Sequence, residues 1–203
     1  MRALTVLLLL GLLHTACTAE PDPPSAAQPP QTSVDVDTPA LRALKADAGV
    51  ERCRRGAGAA VADGLPAVTL QCLGGGPSVA LPGLRGPLVI NLFAQWCGPC
   101  RKEMPYYQRL HQEAGGAVRV LGVDYLDTQP DGALRLVRET GVTFPLLADP
   151  EGRLRTALKV RFLPTVVYVA ADGTVTDVQA RAFSSYAELR DSVEQELGVE
   201  VPA

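Results

Sequence analysis

The stretch NLFAQWCGPCRKEMP, residues 91–105, constrains this chain more than any other. It places two cysteines two residues apart, at the end of the apolar run PLVINLFA (87–94) and the start of a helical pattern. An unbroken apolar run of this length is the pattern of a strand buried on both faces. If that strand ends near Ala94 and a helix begins near Cys97, the first sulfur lies among unpaired backbone N–H groups at the positive end of the helix dipole. Those groups favour a thiolate. Gly98-Pro99 permits the tight turn, and a proline in the first helical turn gives up no needed N–H. Cys100, one turn on, lies beneath Cys97. The order of events this spacing implies is attack by Cys97 and resolution by Cys100.

Two close cysteines can also bind metal. Structural zinc needs four ligands, which come from a second such pair or from histidines. Cys53 and Cys72 are isolated, and the two histidines are His14 and His111, so no metal site is assigned. The balance of 22 acidic and 19 basic residues gives a formal charge of −3 with no basic block, which excludes nucleic acid as an expected partner.

Strand-like and helix-like segments alternate around the cysteine pair. Residues 67–73 and 78–81 read as a hairpin turning at 74–77; no Gly-Lys-Ser/Thr follows the triple glycine there, so it is read as a turn and not a phosphate loop. Helical patterns cover 98–114, 131–140, 151–159 and 184–197, with strands at 117–125, 143–149, 165–170 and 174–180. The last helix has a Ser at its start and Gly198 after its end. This order predicts an α/β fold, a central mixed β-sheet flanked by helices on both faces, with an N-terminal β-hairpin.

The N-terminal part reads differently. One Arg, an apolar stretch at 3–13 and small residues form a secretion signal at residues 1–16, too short for the ~20 residues a spanning helix needs. Ala16-Cys17 behind the leucines resembles the lipobox of bacterial lipoproteins, with His14 where a lipobox usually has Leu. That resemblance implies acylation of Cys17 and anchoring to the outer face of the cytoplasmic membrane; ordinary cleavage after Ala19 would give a secreted protein. Residues 17–39 are rich in proline and poor in large apolar groups, and are expected to be a disordered tether. Residues 40–64 form an N-terminal segment, with a short helical pattern at 40–47, and the ordered domain is expected over 65–203.

WCGPC after a buried strand, with FLPT (162–165) before a later strand, resembles the thioredoxin superfamily. NLFAQWCGPCRKEMP is similar to its TlpA/ResA-like branch of extracytoplasmic bacterial thiol-disulfide oxidoreductases. The resemblance covers about residues 65–197 and implies a thioredoxin-like fold. It implies that Pro164 is a cis-proline facing the cysteines, and that it holds the Leu163 backbone where a substrate strand can pair. It implies that Glu103 transfers protons near the cysteines, that Pro105 kinks its helix, and that Trp96 packs beside Cys97 and shields it. Asn91 falls where thioredoxin has a buried Asp; the branch commonly has Asn, which leaves Glu103 to activate Cys100.

In an oxidising compartment Cys53 and Cys72 are expected to form a structural disulfide, worth ~3 kcal/mol for a loop of about 20 residues; a second redox relay is the alternative. The expected function is exchange of protein disulfides, with Gly-Pro between the cysteines leaning toward reduction, for instance of apocytochrome c. The chain shows no flavin or nicotinamide site, so no cofactor is expected, electrons come from a membrane donor protein, and the chain acts as a monomer. Alternatives are oxidative folding, a peroxiredoxin-like peroxidase, for which no Thr-x-x-Cys is present, and a copper chaperone, which lacks placed His or Met ligands.

Overall fold

The structure, a computed structural model, describes residues 33–202. The signal-like run, Cys17 and most of the proline-rich segment lie outside the described residues. Among those described, no helix is long and apolar enough to cross a membrane.

The central strand forms from its sequence. In β3 (Leu88–Phe93) every residue is buried, as an unbroken apolar run requires. It runs parallel to β4 (Arg119–Tyr125) and antiparallel to β6 (Thr165–Val169). β4 runs parallel to β5 (Leu146–Asp149). The hairpin of β1 (Thr69–Cys72) and β2 (Val79–Ala80) extends the sheet beyond β5, and β7 (Val175–Gln179) closes the other edge. The order is β2-β1-β5-β4-β3-β6-β7, the mixed sheet that the alternation of patterns predicts.

Period-2 alternation divides β3 between two cores. Leu88, Ile90 and Leu92 face one, while Val89 and Phe93 face the other. The second face is covered by α1 (Pro39–Asp47), α2 (Gly98–Glu113), α3 (Pro130–Glu139) and α5 (Tyr186–Leu197). The first is covered by α4 (Leu154–Ala157), the 3-10 turn at Leu81–Gly83 and the segment before β1. Helix ends follow local chemistry: the Thr38 hydroxyl caps α1, the Ser185 hydroxyl caps α5, and Gly198 ends α5 in the left-handed region at φ 62°. Pro105 lies inside α2, where it withholds one backbone N–H from the helix.

One boundary needs correction. The folded unit starts well before residue 65: Val36, Leu41, Val50 and Cys53 are all buried, Val36 at 2% exposure. α1 packs on α3, and Glu51 N–H bonds the Thr143 carbonyl. Residues 34–39 therefore belong to the fold and not to the tether. Val36, Val50 and Cys53 are each flanked by polar or small residues, so no long period announces their burial; Leu41 falls in the helical pattern read at 40–47.

Gly122 lies opposite Asn91 in the register of β3 and β4. A Cβ there would lie 2.5 Å from Leu146 Cδ2, 3.1 Å from Phe144 Cε2 and 3.2 Å from Phe93 Cε1. Glycine thus leaves the space that two phenylalanine rings fill. Gly122→Ala is expected to destabilise the fold by roughly 1–3 kcal/mol, seen as a lower urea midpoint at unchanged slope; an unchanged midpoint would show that the rings yield without loss.

Candidate active site

β3 delivers the chain to the site. Past Phe93 the backbone turns, Cys97 N–H bonding the Ala94 carbonyl at 3.1 Å, and α2 begins at Gly98. Cys97 is the N-cap of α2: its sulfur accepts from the Cys100 N–H at 3.2 Å, the place a capping hydroxyl would take. Pro99 occupies the first helical turn, as the sequence predicts. Cys97 and Cys100 are joined as a disulfide. Cys97 keeps 5% exposure and Cys100 none, so an incoming sulfur can reach Cys97 alone.

The loop is pinned by a residue that sequence reading missed. Asp127, beyond the end of β4, accepts from Gln95 N–H at 2.8 Å through one oxygen and from Gln129 N–H at 2.9 Å through the other. Asp124, in β4, is buried beside it, and burial, followed by the Asp127 charge, pushes its carboxyl well above the ordinary range. The signal was present in the sequence: an acid inside the otherwise apolar run LGVDY.

β6 forms the second wall. Thr165 pairs with Leu92, so Leu163 and Pro164 run out at the sheet end from which the cysteine loop departs. The Leu163–Pro164 peptide is cis, and Leu163 packs against the core that contains both cysteines. A second cis peptide, Gly86–Pro87, lies before β3 and had no signal in the sequence. Trp96 is 57% exposed, so more than half of its surface is presented to solvent, as is that of Phe162 at 65%.

Glu103 is fully buried, not the exposed acid that a position near a helix start would ordinarily give. One oxygen accepts from the Phe183 N–H at 3.0 Å; the other has no partner among the described residues. Burial raises its pKa to about 8, and the Phe183 N–H offsets only part of that. At neutral pH the carboxyl is therefore mostly protonated. Tyr107, one turn further along α2, is also buried with an unpartnered hydroxyl, held well above the usual tyrosine range by burial and then by Glu103. Asn91 projects to the same face of β3 as Val89 and Phe93, and neither its side-chain oxygen nor its nitrogen has a partner among the described residues. Under the active-site helix lies a set of buried polar groups, Asn91, Glu103 and Tyr107, each with a side-chain atom unpartnered among the described residues.

With this geometry in view, the comparisons are decisive about family. The AhpC/TSA family profile matches residues 61–178, more than half of the chain. The chain belongs to that family. Its fold is thioredoxin-like: the structure of MTB DsbF in mixed oxidised and reduced forms aligns with a TM-score of 0.57 at 28% identity, over 64% of this chain and 98% of that one. The thiol:disulfide interchange protein CycY of Rhizobium leguminosarum bv. viciae is 34% identical over 101 residues, 49% of this chain and 53% of CycY. The thiol-disulfide oxidoreductase ResA of Oceanobacillus iheyensis is 29% identical over 106 residues, 50% of this chain and 53% of ResA. The chain thus spans about half the length of these two relatives. Its likeness to ResA and CycY matches the TlpA/ResA-like resemblance of the sequence.

The buried carboxyl makes stability depend on pH. The folded chain holds the Glu103 proton up to about pH 8, whereas an unfolded chain releases it near ~4.3. The stabilisation from that native protonation is complete below about pH 4.3 and is lost as pH rises toward 8. Unfolding free energy of the oxidised protein is expected to fall by a few kcal/mol across that window. Glu103→Gln should flatten the fall without abolishing it, because Asp124 contributes with the same sign; an identical slope in the variant would show that Glu103 is not protonated in the fold.

Proposed function

We propose that this protein is an extracytoplasmic thiol-disulfide oxidoreductase that reduces disulfides of other proteins. The observation that carries the reading is the Cys97–Cys100 pair at the head of α2, with the reachable sulfur as the helix cap. In the reduced pair the Cys97 thiolate, favoured by the N-terminal N–H groups, attacks a substrate disulfide. A bond forms between Cys97 and one substrate sulfur, and the other leaves with its electron pair. Cys100 then attacks Cys97 Sγ, the substrate leaves reduced, and the bond seen here closes.

Cys100 must lose a proton for this second step, and Glu103 is proposed to take it and return it. A carboxyl with a pKa of about 8 changes state near the pH at which thiols do. Asn91 cannot titrate, which leaves Glu103 as the acid on α2 turned into this core. The substrate is an extended polypeptide: it pairs with the backbone of Leu163 beside Pro164, and Trp96 and Phe162 supply apolar contact around the cysteines. The signal at 1–16, acylation of Cys17 and a tether ahead of the folded unit would hold the domain at the outer face of the membrane. There a membrane donor protein would re-reduce it, and apocytochrome c is a candidate substrate.

Single-turnover reduction of a disulfide-bonded peptide by the pre-reduced protein tests this. Cys97→Ser should abolish the reaction, and Cys100→Ser should accumulate a mixed disulfide on Cys97. Glu103→Gln should leave formation of the mixed disulfide intact and slow its release roughly a hundredfold. Activity retained in Cys97→Ser, or hydrogen peroxide consumed faster than the peptide disulfide, would refute the assignment; an unchanged release rate in Glu103→Gln would remove that residue from it.

A further inference from the structure

The second disulfide has surroundings that a merely structural bond does not call for. Cys72, at the end of β1, is joined to Cys53 in the segment before it. Lys45 of α1, itself buried, donates from Nζ to Cys72 Sγ at 2.9 Å and to the Gly75 carbonyl at 2.8 Å. A disulfide sulfur is a weak acceptor, so the closed bond gives a buried ammonium little in return for lost hydration. Burial lowers the Lys45 pKa accordingly, offset in part by Asp37. A thiolate on Cys72 would instead complete a charge-assisted pair.

The triple glycine builds this contact. Gly74, Gly75 and Gly76 all have positive φ. A Cβ on Gly74 would lie 2.8 Å from Lys45 Cβ, and one on Gly76 would lie 3.2 Å from Cys72 Sγ. The turn is glycine so that the backbone can close over the lysine and the sulfur together. Cys53 has the opposite environment: its sulfur lies 3.2 Å from the Leu146 carbonyl oxygen, which disfavours a thiolate and suits a thiol. Access is one-sided too. Cys53 lines a cleft of about 590 Å³ together with Arg42, Lys45 and Arg52, and it also borders a second cleft near His111; Cys72 lines neither. Arg42 is paired with Asp37 on the surface, and Arg52 is exposed.

We propose that Cys53–Cys72 is a second thiol-exchange site, opened by a small anionic thiol that attacks Cys53 while Cys72 leaves as a thiolate held by Lys45. The thiolate RS⁻ forms a bond to Cys53 Sγ, the Cys53–Cys72 bond breaks, and its electron pair goes to Cys72 Sγ. No proton is consumed. The product is a mixed disulfide on Cys53, and a second RS⁻ can release it as RSSR, Cys53 then taking a proton beside the Leu146 carbonyl. The reactant is small because Cys53, with the same 5% exposure as Cys97, opens into a cleft of about 590 Å³ and not beside an exposed aromatic such as Trp96, while Cys72 is 1% exposed. It is anionic because Arg52 and Lys45 line the cleft in addition to Arg42, whose charge Asp37 offsets. Lys45 is a positioning residue: it lowers the basicity of the leaving sulfur, which speeds exchange.

The test uses the whole chain carrying Cys17→Ser, Cys97→Ser and Cys100→Ser, whose remaining cysteines are Cys53 and Cys72; its outcome is thus independent of the Cys97–Cys100 chemistry. The protein is incubated with reduced glutathione, quenched by alkylation and mapped by mass spectrometry. Glutathione is expected on Cys53 and the alkyl group on Cys72, with opening about tenfold faster than by the cationic thiol cysteamine at equal thiolate concentration. Lys45→Met should slow opening about tenfold or more, while Lys45→Arg, which keeps the charge, should stay within about threefold. Ultraviolet thiolate absorbance of the reduced chain should titrate at lower pH in the parent than in Lys45→Met. Attachment to Cys72, opening as fast or faster in a folded Lys45→Met, or no opening at thiol concentrations that reduce Cys97–Cys100 in the native chain would overturn the proposal. If Lys45→Met fails to fold, the site of attachment and the Lys45→Arg rate decide it.

Discussion

The start of α2 stands where the buried central strand runs out, and the unpaired N–H groups of a helix end must find an acceptor there. In this protein the acceptor is the sulfur of Cys97, which stands where a serine or aspartate would ordinarily cap. Structural need and chemical poise therefore fall on one atom. The capping contact to a disulfide sulfur is weak and the same contact to a thiolate is strong, so the helix end itself favours the reduced, ionised form. The rest of the site follows from holding that helix end in place. β3 fixes where the loop departs, Asp127 fastens Gln95, and the end of β6 sets the backbone of Leu163 alongside.

Much of this was legible because it rests on local rules. A short, largely apolar run fits a buried strand, Gly-Pro can open a helix, and Ser185 and Gly198 mark the limits of α5. What escaped reading depends on residues meeting across the fold. The resemblance sets Glu103 near the cysteines, but its full burial was not legible, because an acid near a helix start is ordinarily exposed; here the Phe183 N–H bonds its carboxyl. Trp96 shows the converse: a large aromatic beside a buried strand is ordinarily cover, yet nothing in the fold closes over it. Val36 and Val50 are single apolar residues without a period, and their burial comes from the groove they enter and not from any pattern of their own.

The polar atoms left unpartnered under α2 have a common logic. Asn91, Glu103 and Tyr107 are buried in or beside the core that holds both cysteines, and each has at least one side-chain atom unpaired among the described residues. Burying such atoms costs on the order of 1–3 kcal/mol each. Neutral groups reduce that cost, and a protonated Glu103 is the form the site can hold in the oxidised state. If the proposed cycle is right, the same carboxyl must ionise when Cys100 gives up its proton. A fold that left Glu103 fully satisfied by a cation would lower its pKa and remove it from proton exchange near neutral pH.

The two disulfides solve one electrostatic problem with different parts. At Cys97 a helix terminus supplies partial positive charge spread over several N–H groups, and the sulfur stays at the surface, where a large partner can reach it. At Cys72 β1 ends in a glycine turn with no helix dipole to offer, and a whole ammonium is brought in from α1. A full charge in a buried position is the stronger device, but it requires that the other sulfur be the one exposed, since a nucleophile must approach opposite the leaving group. Cys53, set against a carbonyl and opening to a cleft, meets that requirement. At Cys53–Cys72 the polarity of the bond is therefore written in its neighbours: the sulfur that leaves is the one whose anion the fold has already prepared to hold.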